Sequence, residues 1–125
     1  MGYYTYYSIN VINANEVSRE RLIAASKDLF HSLEGDDTYF DSDLYEHNPT
    51  INPFDWVSDD EMKWYECEDD MVKLSRDYPE LVFEVEGQGE DRDDNWRAYF
   101  ANGKFYLCRG YIYYEPAPDW AEDYL

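Results

Sequence analysis

Residues 61–114, EMKWYECEDDMVKLSRDYPELVFEVEGQGEDRDDNWRAYFANGKFYLCRGYIYY, hold the clearest periodicities in the chain and decide its fold. Within them Cys67, Met71, Leu74 and Tyr78 recur at i, i+4, i+7 and i+11, one stripe of a 3.6-residue helix. Glu66, Glu68, Asp69 and Asp70 crowd the first turn of that helix, where exposed N–H groups and the positive dipole end favour carboxylates. Lys73 and Arg76 fall toward the opposite end, and Pro79 stops the helix, because the residue before a proline avoids the α region.

After Pro79 the period changes to two. Leu81, Phe83 and Val85 alternate with Val82, Glu84 and Glu86, the pattern of a strand with one face buried. Gly87-Gln88-Gly89 is expected to break this strand, and Glu90 to Asn95 to form a polar loop. Trp96, Ala98 and Phe100 resume the alternation, and Asn102-Gly103 is the preferred pair for a type I′ hairpin. A turn there sets Phe100 opposite Phe105 and Ala98 opposite Leu107 on one face, with Tyr99 and Tyr106 meeting on the other. Met62-Lys63-Trp64-Tyr65 is expected to be the strand that precedes the helix.

Upstream, residues 3 to 12 read as a first strand with Tyr7, Ile9 and Val11 on one face. A helix follows, with Asn13 or Asn15 as its N-cap and Leu22, Ser26, Leu29 and Leu33 on one stripe, widened by Ala25 and Phe30. Gly35 stands at its end, where a left-handed residue is expected. Residues 36–60 read as an irregular acidic insertion with turns at Asn48-Pro49 and Asn52-Pro53; Phe40, Leu44, Tyr45, Phe54 and Trp56 would pin it down. The tail, 115–125, is acidic and aromatic and reads as a strap or a frayed end. The expected fold is α+β: one domain over residues 1–114, in the order β-α-β-α-β-β-β, with both helices on one face of an antiparallel sheet.

The residues EMKWYE, EDDM, LSRDYP, LVFEVEGQGE, the tryptophan after them, and AYFANGK resemble a set of small acidic phage and prophage proteins. In that set a tryptophan-bearing strand, an acidic helix ending in YP, and a strand closing in an EGxGE loop follow one another. The likeness covers about Lys63 to Lys104 and includes no catalytic motif. It implies a ferredoxin-like α+β domain. Several acidic proteins of such origin inhibit host defence, including anti-CRISPR proteins that imitate DNA, so a CRISPR-Cas effector is the partner the resemblance favours.

Composition narrows the function classes. With 29 acids against 10 bases, the net charge is −19, which opposes backbone-mediated nucleic-acid binding and anionic membrane surfaces and favours a strongly basic protein partner. Hydrophobic content of 44%, with 19% aromatic, argues for a folded core despite the charge. Fourteen tyrosines exceed what a core takes up, and tyrosine is a favoured contact residue. No signal peptide or apolar span is evident, so a cytoplasmic location with reduced thiols is expected.

The acids are concentrated. From Glu34 to Asp70 there are 14 against Lys63 alone, and a second group comprises Glu84, Glu86, Glu90, Asp91, Asp93 and Asp94. If the second strand and the Glu84 strand are close, both groups would join in one acidic face. Duplex DNA carries a charge per about 1.7 Å of axis. Carboxylates at alternate strand positions stand about 6.6 Å apart, and those on a helical turn closer, so such a face approaches phosphate density. The candidate partner-binding residues are Asp59, Asp60, Glu61, Glu66, Glu68, Asp69 and Asp70, then Glu84, Glu86, Glu90, Asp91, Asp93 and Asp94. The bland alternative is a solvated acidic surface, with an aromatic surface making the partner contacts.

Cys67, Cys108, His31 and His47 would make up a zinc set of two thiolates and two imidazoles, but no CxxC or HxxxH spacing accompanies them, so no cofactor is expected. Asp41-Ser42-Asp43 near Glu46 lacks the spacing and glycine of a calcium loop. No nucleophile elbow, phosphate loop or HExxH motif is present, and enzymatic activity is not expected.

Overall fold

The computed structural model describes residues 5–35, 37, 39–52, 54–57, 64, 66–89, 94–110 and 115–124, with only the backbone of 55–57. Among the described residues five strands, β1 (Thr5–Val11), β2 (Asp55–Val57), β3 (Phe83–Gly89), β4 (Asn95–Ala101) and β5 (Lys104–Gly110), form one antiparallel sheet in the order β2-β1-β3-β4-β5. The helices are α1 (Arg19–Glu34), α2 (Ser42–Glu46), α3 (Cys67–Asp77) and α4 (Asp119–Glu122).

Strand alternation sets the register, and the register lines the apolar side chains up in rows across the sheet. Val11, Phe83, Phe100 and Phe105 are one row; Ile9, Val85, Ala98 and Leu107 are the next. Both rows face α1 and α3, whose Leu22, Ala25, Leu29, Met71, Leu74 and Tyr78 complete a single buried cluster. Side chains of the opposite parity, Ser8, Glu84, Glu86 and Tyr99 among them, face away from the helices. A fully buried phenylalanine such as Phe83 or Phe100 contributes roughly 1.5–3 kcal/mol, so these rows dominate the cohesion of the sheet.

The hairpin is as its sequence requires. Asn102 and Gly103 both have positive φ, 48° and 80°, which only a primed turn uses. The turn is fastened to α3 as well: the Gly103 N–H donates to Ser75 Oγ at 2.8 Å, and that hydroxyl donates to the Val72 carbonyl. The α3 stripe buries Met71, Leu74 and Tyr78, with Cys67 packed against the cluster. Gly35 ends α1 at φ 94°, in a region that favours glycine.

Several expectations are corrected. The α1 cap is Ser18, whose hydroxyl accepts from the Arg21 N–H. Asn13 instead clamps β1 to the end of α3, donating to the Glu80 carbonyl at 2.8 Å and accepting from the Val82 N–H at 2.9 Å. Of the strand expected at residues 62–65, only Trp64 is described, and it lies in no strand; the second strand is β2. Three residues are too few to show an alternation, and the aromatic signal at Trp64 reflects burial rather than pairing. Gly87 to Gly89 do not break β3 but continue it, all three paired with β1 and Gly87 and Gln88 with β4 as well.

Among its described residues the insertion contains α2 and β2, and Phe40, Tyr45 and Phe54 hold it, whereas Leu44 is 44% exposed and the Trp56 side chain lies outside the described residues. Phe40 stacks on Tyr45 at 5.7 Å and meets Phe30 at 5.5 Å, while Phe54 is buried. Arg19 reaches the carbonyls of Tyr45 and Asn48. Asp41 accepts from the Leu44 N–H, so it caps α2. The strand order also departs from the ferredoxin-like one, which uses two βαβ crossovers. Here β2 and β3 run parallel on either side of β1, linked through α3, and a plain meander follows.

Replacing Asn13 strips two backbone groups of their partners at once. Asn13→Ala is expected to lower stability by about 1–3 kcal/mol with an unchanged denaturant slope. Asn15→Ala, at an exposed position two residues on, should be close to neutral in the same urea titration.

Candidate partner-binding surface

At the N-terminal end of α3 the carboxylates take two different roles. Glu68 and Asp69 are exposed in the first turn and Glu66 precedes it, all three placed where the helix dipole favours negative charge. Asp70 is half-buried and accepts the indole N–H of Trp64 at 2.8 Å. It therefore positions a core aromatic as well as adding charge. Cys67, between them, is pushed up to about 12, first by burial and then by Asp70 and Glu68.

A third row crosses the sheet beside this end of α3: Tyr7, Gly87, Trp96 and Arg109. Gly87 has no side chain, and the Trp96 indole lies across it; a Cβ built there would stand 2.2 Å from the ring. The indole thus reaches Tyr7, at 6.1 Å edge-to-face, and Trp64 also meets Tyr7 edge-to-face, at 5.3 Å. The three rings wall a cleft of about 340 Å³ between α3 and the β4–β5 ladder. Ala98, Phe100, Phe105 and Leu107 also line it, and so do Glu68, Asp94 and Arg109. Tyr7 has its hydroxyl pKa raised, chiefly by burial, then by Cys67, with a contribution from Asp94.

The face of the sheet away from the helices is polar and tyrosine-bearing. Tyr6 is 44% exposed and Tyr106 69%. Glu86 pairs with Arg97 across the strands at 3.0 Å, and Tyr99 donates to Glu84, which raises the tyrosine pKa. A shallow groove of about 630 Å³ runs along the β1–β3–β4–β5 end of this face.

The candidate acidic residues are divided by the sheet. Glu66, Glu68 and Asp69 lie on the helix side, and Asp94 lines the same cleft as Glu68. Glu84 and Glu86 lie on the other face, because Phe83 and Val85 take the inward positions. Asp59, Asp60, Glu61, Glu90, Asp91 and Asp93 fall outside the described residues. The zinc set is not assembled. Cys67 lies on the helix side, Cys108 pairs with Arg97 on the opposite face, His31 turns its ring to the Gly35 carbonyl, and His47 caps α2. Among the described residues no cluster of three metal-ligating side chains occurs.

Sequence reasoning missed the aromatic cleft. The available signal was the pairing of a glycine with a tryptophan on adjacent strands, which becomes readable only once Gly87 is known to continue β3. Comparison with family models, curated proteins and solved structures finds no match for this chain. Among the described residues no helix is long and apolar enough to cross a membrane.

The raised thiol pKa carries a pH signature. Unfolded, Cys67 ionises near 9.0; folded, it stays protonated to about 12. Its contribution to stability is complete below pH 9.0 and is lost as pH rises toward 12. At pH 8 the folded chain should show no iodoacetamide adduct at Cys67 by peptide mass mapping, while the urea-unfolded chain should show one.

Proposed function

We propose that the chain is a non-catalytic inhibitor that occupies the basic, nucleic-acid-binding groove of a host defence protein. The observation that carries this reading is the surplus of carboxylates. If each of the 10 bases held its own acid, 19 of the 29 acids would remain unmatched. The ion pairs Arg21–Glu80 and Arg97–Glu86 are two of those ten matches. A surplus of this size raises the local concentration of a basic partner and speeds its encounter. Because a groove lined with lysine and arginine ordinarily holds polyphosphate, binding there excludes nucleic acid.

The likeness to acidic phage and prophage proteins supports a phage origin and a CRISPR effector as the first target to test. Glu66, Glu68, Asp69 and Asp94 are the described acids best placed to act together, with the acids at 59–61 and 90–93 as their sequence neighbours. The ferredoxin-like relation belongs to this reading only through that likeness.

The exposed tyrosines of the far sheet face favour a second reading, an interaction module that binds through aromatic contact. Competition separates the two. With the chain immobilised and a bacterial host lysate passed over it, the first reading expects a captured nucleic-acid-binding protein that excess short duplex DNA elutes. The triple variant E66Q/E68Q/D69N should capture less of it. Retention of the partner in excess DNA, with equal capture by the variant, would replace the first reading with the second.

A further inference from the structure

The cleft between α3 and the β4–β5 ladder combines two kinds of wall that together suit one class of ligand. Trp96 is half-buried and offers ring surface, Tyr7 and Trp64 are buried in the wall beside it, and of the apolar lining Phe105 and Leu107 are each 39% exposed. An apolar cleft alone would suit a neutral hydrophobic group. Here two carboxylates, Glu68 and Asp94, stand at the same cleft. Aromatic rings attract a cation to their faces, tryptophan most strongly, and a carboxylate within hydrogen-bond reach adds a charge-assisted bond. Both effects act on one occupant only if it has an apolar stem and a cationic head.

We propose that this cleft is a cation-binding pocket that seats a lysine or arginine side chain of the basic partner. The inference rests on the reading of the chain as a binder of a basic protein and supplies its anchoring point. The methylene stem lies along Phe105 and Leu107, the head approaches the Trp96 indole, and Glu68 and Asp94 close on it. Such an anchor adds what a diffuse charge surplus lacks, a fixed register for the partner. Burial is the first cause of the upward shifts of Tyr7 and Cys67, and the smaller contributions of Asp94 to Tyr7 and of Glu68 to Cys67 agree with a site that favours positive charge. Arg109, which also lines the cleft, is a resident cation that competes with the incoming one.

The glycine at position 87 acquires a purpose in this arrangement. It lets the Trp96 indole lie flat across β3 and reach the cleft wall; any side chain there must push the ring away.

The test titrates the full chain with n-butylammonium and n-butylguanidinium, the two side-chain fragments, and with n-butanol as the neutral counterpart. The readout is the NMR shift of the Trp64 and Trp96 indole N–H signals. The expected result is saturable binding of both cations, with n-butanol weaker by about fivefold or more. E68Q/D94N, confined to surface carboxylates, should weaken the cations by a similar factor and leave n-butanol unchanged. Arg109→Gln should tighten the cations, and Gly87→Ala should abolish the Trp96 response while a folded spectrum is retained. Equal binding of n-butanol, indifference to E68Q/D94N, or no saturable shift at all would overturn the pocket. If the pocket holds but duplex DNA fails to displace any captured partner, the inhibitor reading fails by itself. If DNA displaces the partner equally from the wild type and E68Q/D94N, and the fragments do not bind, the pocket alone fails.

Discussion

The rows of apolar side chains across one face of the sheet are the constraint on which everything else depends. Ile9, Val85 and Ala98 stand side by side, as do Val11, Phe83 and Phe100, and α1 and α3 cover both rows. Because strand parity is rigid, placing these residues inward sends Glu84, Glu86, Arg97 and Tyr99 outward. A one-residue slip would reverse every one of those assignments. The placement of these side chains is therefore a consequence of packing, and among the described acids the sheet sets Glu84 and Glu86 apart from Glu66, Glu68, Asp69 and Asp94.

The third row shows how packing produces a site. Where Gly87 interrupts the apolar series, the Trp96 ring spans the gap to Tyr7, and Trp64 is held from behind by Asp70. The result is a cleft between α3 and the β4–β5 ladder, where Phe105 and Leu107 of β5 are left partly exposed. The acids that a helix N-terminus favours for its own stability are then next to that cleft. Helix stability and the proposed recognition of a basic partner call for the same residue types at the same position.

Much of this was legible in the residues themselves. The α3 stripe, the β3 alternation and the Asn102-Gly103 turn each follow from a local period or a turn chemistry, and each occurs in the structure. What was not legible had a physical cause in every instance. Asn13 caps no helix because its amide finds two backbone partners that are remote in sequence, at Glu80 and Val82. The strand β2 is three residues long, below the length at which a period can be seen. The double glycine after Glu86 looks like a break when read alone, since the tryptophan that lies across Gly87 comes from another strand. Segment chemistry predicts elements well; it predicts poorly those features that require two distant segments to meet.

In the proposed function a fixed surplus of carboxylates binds a basic groove in place of nucleic acid. The salt dependence of the affinity for the purified partner tests this most directly, because counterion release makes such binding fall in proportion to a power of ionic strength. A straight, steep decline of log K against log salt between about 50 and 200 mM is the predicted result. An affinity that stays level across that range would contradict it.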